Sequence, residues 1–141
     1  MAGTQRTFTV AEANAEVPRL ALLVARLQGL ARRLDDERRA AAAATGVDAG
    51  TIPMPTVLRA RPEARRVLEE LDAVVGQIEG AGAQLKDLAL GLVDFPGEVQ
   101  GRPVLLCWQL GEPEVAFYHG EHDGFAGRRP LPGADPGRWL Q

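Results

Sequence analysis

The sequence predicts an α+β fold, a long antiparallel helical hairpin packed with a small three-stranded antiparallel β-meander. Three observations carry that prediction. Apolar residues recur at alternating spacings of three and four through two long stretches of the first half. A segment rich in glycine and proline separates those stretches. From residue 90 the period shortens to β-like runs divided by turn signals. At 141 residues the chain is read as one domain, residues 1–141. The hairpin takes about 9–89, the meander and a Gly-rich segment about 90–131, and a flexible tail 132–141.

The first helix opens at Thr9-Val10-Ala11-Glu12, which has the form of a capping box. Asn14 beside it also reads as a capping residue. Val17, Leu20, Val24, Leu27, Ala31 and Leu34 then make one apolar stripe. Pro18 crowds the preceding turn, so a kink or a helix start is expected near it. The pattern runs out in the alanines 40–44 and stops at Gly46. Residues 46–61 hold Gly46, Gly50, Pro53 and Pro55, show no period, and are read as a loop. Pro62 suits the first turn of a second helix. Its stripe is Val67, Leu71, Val74, Ile78, Ala81, Leu85 and Leu88. Gly76, Gly80 and Gly82 weaken this helix unless they admit a close neighbour.

The first β-run is Leu90 to Phe95, closed by Pro96-Gly97. Val104 to Leu110 is the second, and Val115 to His119 follows after the turn Gly111-Glu112-Pro113. Strand side chains alternate, so a simple hairpin at that turn puts Cys107, Phe117 and His119 on one face. Leu106, Trp108 and Tyr118 then share the other. A meander of this size needs the helices to pack against.

Composition narrows the function. A net charge of −3 and a pI near 5.4 argue against nucleic-acid binding, which needs a basic face. No apolar run is long enough to span a bilayer, and the first residues lack a signal-peptide core, so a cytoplasmic protein is expected. The single cysteine excludes an internal disulfide and a multi-cysteine zinc site. Cys107 itself reads as a small buried hydrophobe, or as a nucleophile with His119 as its base. No glycine-rich nucleotide fingerprint is present, so no nucleotide cofactor is expected.

Both histidines lie in His119-Gly120-Glu121-His122-Asp123, a segment that also carries two carboxylates. Mixed imidazole and carboxylate donors suit Zn, Fe, Mn or Ni. His119 is the anchor of the candidate metal set, with Glu112, Glu121, His122 and Asp94 to complete it. The alternative is a polar loop with two solvated histidines. Arg128, with Lys86 and Trp108, forms the candidate substrate-binding set, because a planar guanidinium takes carboxylate or phosphate on two bonds.

Several of these residues fall in an ordered string: Gly91-Leu-Val-Asp-Phe-Pro96, Leu106-Cys-Trp108, Gly111-Glu112, His119, Gly124-Phe125 and Gly127-Arg128. Phe8-Thr9, Glu12-Ala13-Asn14, Pro18 and Lys86-Asp87 precede it. Together they resemble the bacterial domain-of-unknown-function family 2203 over nearly the whole chain. Tyr118 stands where that family usually has tryptophan, and His122 falls outside the matched pattern. The resemblance implies that Asp94, Glu112, His119 and Arg128 belong to the family's recurring pattern, and packing alone has little use for three of them.

Two functional expectations follow. One is a small metal-binding protein, in its fullest form a metal-dependent enzyme acting on a small anionic substrate. The other is a non-catalytic hairpin module that self-associates as a homodimer through Leu22, Leu23, Leu30, Leu68 and Val75.

Overall fold

The computed structural model describes residues 6–134. Three helices, α1 (Val10–Thr45), α2 (Met54–Ala60) and α3 (Ala64–Gly80), precede five strands. These are β1 (Gln84–Asp87), β2 (Leu92–Val99), β3 (Arg102–Gln109), β4 (Phe117–His119) and β5 (Arg129–Pro130), with a 3-10 turn at Phe125–Gly127. The fold is α+β. Two compact units divide it, one holding residues up to Ala25 and from Gln77 onward, the other Arg26–Gly76. No helix among the described residues is long and apolar enough to cross a membrane. Trp139 and most of the predicted tail lie outside the described residues.

In the second unit the later part of α1 runs antiparallel to α3. Arg26 pairs with Glu70 at 3.4 Å, and Glu37, farther along α1, pairs with Arg61 before α3 at 2.9 Å. A small core joins Ala41, Ala42, Ile52, Val57 and Ala64. The segment read as a loop therefore contains a helix. Pro53 and Pro55 flank its first turn, where a missing N–H costs no helical bond, and Val57 is fully buried.

In the first unit the capping box forms as spaced. The Thr9 amide donates to Glu12 Oε1 at 2.9 Å, and the Glu12 amide donates to Thr9 Oγ1 at 3.1 Å. These bonds, the backbone one foremost, hold the Glu12 carboxyl below its ordinary value. α1 continues through Pro18, which sits on its exposed side. Asn14, read as a capping residue, instead reaches the sheet side: its Oδ1 accepts from the Val115 amide at 2.6 Å.

The second helix ends at Gly80, well short of residue 89, so Leu85 and Leu88 are not part of its stripe. Gly82 turns the chain at φ +96, and a Cβ there would lie 3.1 Å from the Phe8 ring. Among the described residues no atom beyond their own helix would lie within 4 Å of a Cβ at Gly76 or Gly80, so neither is needed for a close approach. The chain released at Gly82 becomes β1. The Gly-rich stretch likewise ends in β5, which pairs with β4 through Phe117↔Pro130 and Tyr118↔Arg129. The meander is thus an antiparallel sheet of five strands in chain order, not three.

Pro96-Gly97 is not the turn. β2 runs on to Val99, and the reversal falls at Gln100-Gly101, with φ of 53 and 77. Proline is tolerated because β1 has already ended, so that side of β2 is free. The Phe8 amide takes the position and donates to the Pro96 carbonyl at 2.7 Å. One sheet face carries the buried Val93, Phe95, Leu106 and Trp108; Phe8 meets Phe95 edge to face at 5.0 Å. The opposite face carries the candidate site.

Candidate metal centre

Three consecutive strands each place one ligand-type side chain on that second face. Asp94 on β2 is directly opposite Cys107 on β3. Cys107 is opposite Phe117, and Leu105 is opposite His119, so His119 stands diagonally from Cys107 on the same face. One ligand atom from each of Asp94, Cys107 and His119 lies within 4.8 Å of the others. All three residues are buried, at 2%, 1% and 3% exposure.

The hydrogen bonds within this cluster are unevenly shared. His119 Nδ1 lies 2.8 Å from the Gly120 carbonyl, which can only accept, so Nδ1 carries a hydrogen and donates. His119 Nε2 lies 2.9 Å from Asp94 Oδ2. The other oxygen, Asp94 Oδ1, is buried with no hydrogen-bond partner among the described residues. A neutral imidazole has one N–H, already given to Gly120. A proton shared between Nε2 and Oδ2 makes this contact a hydrogen bond, and a metal ion in its place would sit beside the line joining the two atoms, because 2.9 Å is too short to hold one between them. Burial, then the charge of Asp94, pushes the Cys107 thiol up to about 12, with Arg128 opposing. Without a cation the thiol stays neutral.

A pocket of about 140 Å³ opens on the cluster. Leu92, Leu105 and Phe125 give it apolar walls, and Lys86 and Glu121 line it from exposed positions. Asp94 and His119, predicted from sequence, are thus brought together, with Glu121 and Lys86 beside them. Four predicted residues are not part of the cluster. Glu112 is engaged by Arg128 at 2.7 and 2.8 Å and accepts the Gln109 amide at 2.7 Å. Arg128 is correspondingly committed, with its guanidinium 3.9 Å from the Phe117 ring centroid and 4.9 Å from that of Phe125. His122 is exposed on the loop, where strand alternation no longer aims it at the cluster. Trp108 is fully buried on the opposite face and donates its indole N–H to the Glu112 carbonyl at 2.9 Å.

Cys107 is the residue that sequence reading left out of the metal set. The available signal was its shared face with His119. What was missing was the register with Asp94, which ending the strand at Pro96 concealed.

No curated protein and no solved structure matches the chain. The model of an uncharacterized conserved protein family, DUF2203, matches residues 6–131. The match takes in both units and every residue of the buried cluster, and the chain belongs to that family.

Proposed function

We propose that this protein binds a divalent transition metal through Asp94, Cys107 and His119, and that the metal serves a reaction on a small substrate. The observation that carries this reading is the facing pair His119 Nε2 and Asp94 Oδ2 at 2.9 Å, with Nδ1 already donating to a carbonyl. A metal-ligating histidine commonly gives its other N–H to a backbone carbonyl in this way, which aims the free nitrogen at the ion. The unpartnered Asp94 Oδ1 supports it, because a buried carboxylate oxygen without a donor is costly unless a cation meets it. Nitrogen, oxygen and thiolate donors together favour Zn, Fe or Ni and disfavour the harder Mn. A bound ion would polarise a substrate or activate water. A cytoplasmic setting suits the reading, since it keeps Cys107 a thiol.

The test is elemental analysis of protein purified without a histidine tag, with zinc titration of wild type, His119→Ala and Cys107→Ser. One tightly held equivalent that is lost in both variants is expected. Substoichiometric metal, unchanged by His119→Ala, would overturn the proposal.

A second reading, self-association through the helices, draws on Leu22 of α1, which is 76% exposed. Light scattering at high concentration decides it: a dimer that Leu22→Lys dissociates supports the reading, and a monomer ends it.

A further inference from the structure

We infer that the metal at this centre keeps one coordination position open toward the 140 Å³ pocket, and that this position takes a compact carboxylate whose charge Lys86 offsets. The inference rests on the metal reading above and adds the ligand class.

The three ligands come from three neighbouring strands and one sheet face, so all approach the ion from the sheet. All three also line the pocket. Among the described residues no fourth histidine, cysteine or acid joins the cluster. Three protein ligands with an exchangeable fourth position distinguish reactive zinc sites from structural ones, which close with four. The pocket is far smaller than the roughly 300–1,000 Å³ of ordinary small-molecule sites, so it admits a head group rather than a whole cofactor.

Charge selects the head group. A divalent ion held by one carboxylate and one thiolate is neutral overall, and an entering anion leaves one negative charge in excess. Lys86 is the basic residue lining the pocket; the acid Glu121 lines it too, and Lys86 makes no ion pair with it or with any other described residue, so its charge is left to meet the entering anion. The guanidinium of Arg128, which sequence reading had offered for the same task, is taken by Glu112. Leu92, Leu105 and Phe125 would surround the carbon next to the carboxylate, so a short aliphatic acid fits better than a phosphate.

Cobalt(II) is a suitable probe because its visible spectrum reports both thiolate ligation and coordination number. The full chain would be loaded with Co²⁺ alone and titrated with sodium acetate, using sodium chloride as the ionic-strength control. Saturable acetate-dependent change in the metal-centred bands is expected. Lys86→Ala should weaken acetate binding about two- to fivefold at low salt while Co²⁺ affinity stays unchanged. Glu121→Gln should leave Co²⁺ affinity unchanged as well. A thiolate-ligated cobalt spectrum that ignores acetate, or a loss of Co²⁺ affinity in Glu121→Gln, would overturn the open position and leave the metal reading standing. Failure of Co²⁺ to bind would overturn both.

Discussion

Removing His119 from the metal-free protein leaves the Asp94 carboxylate buried without the bond it accepts at 2.9 Å. The two side chains are only 4% and 3% exposed, so water cannot replace the lost partner. Truncating one member of a buried pair of this kind typically costs about 3–5 kcal/mol. Removing both members leaves no orphaned charge, and a well-packed apolar replacement is often close to neutral. His119→Leu and Asp94→Leu should therefore each destabilise strongly, while the double variant recovers most of the loss. In urea, with slopes of about 1–3 kcal/mol per molar, each single change should lower the midpoint by about 1–5 M. Unfolding would be followed with a chelator present, by the fluorescence of the fully buried Trp108. The chain has two tryptophans, so Trp139→Phe is the background. The expected coupling energy is about 3 kcal/mol or more, and destabilisations that simply add would refute the buried pair.

Four further outcomes follow from particular contacts. A Cβ on Gly97 would sit 2.8 Å from both Cγ and Cδ1 of the buried Leu106, so Gly97→Ala should cost about 1–3 kcal/mol and lower the Tm, whereas an unchanged Tm would contradict the close packing of β2. The Cys107 thiol, pushed up to about 12, should resist iodoacetamide at pH 8 in the folded, metal-free state and react once urea unfolds the chain. Because an unfolded cysteine ionises near pH 8.5, the folded state binds the extra proton between there and about 12. Stability should then fall as pH rises through that window, by up to about 1.4 kcal/mol per pH unit, and Cys107→Ser should lack that part of the slope. Finally, Thr9→Ala removes the hydroxyl that accepts the Glu12 amide and should cost about 1 kcal/mol in denaturant unfolding; a wild-type midpoint would show that the cap contributes nothing.

The helical half was legible where periodicity and capping chemistry act locally. Thr9 and Glu12 meet as their spacing requires, and Leu20, Val24, Leu27, Val67, Val74 and Ile78 of the two stripes are buried. The misread places are those where a residue's ordinary role depends on its position. Proline broke the pattern on paper, yet Pro55 sits in the first turn of α2, Pro18 rides on an exposed helix surface, and Pro96 lies past the end of β1, where Phe8 bonds its carbonyl. Leu85 and Leu88 continued a helical spacing that Gly82 had already ended.

The site was half visible. Strand alternation aligned Cys107 with His119, but Asp94 joins them only through cross-strand register, which no local pattern encodes. Glu112 and Arg128 drew attention as chemically able side chains. Their mutual pairing at 2.7 Å uses that capacity within the fold.

The central claim is that one cation belongs among Asp94, Cys107 and His119. Anomalous scattering from crystals of zinc-loaded protein, collected on both sides of the zinc absorption edge, locates such an ion without reference to activity. The account predicts one strong peak bounded by the Asp94 carboxylate, the Cys107 sulfur and His119 Nε2, at zinc–ligand distances of about 2.0–2.3 Å. A peak only at His122 or at exposed carboxylates, or none in the cluster at saturating zinc, would contradict it.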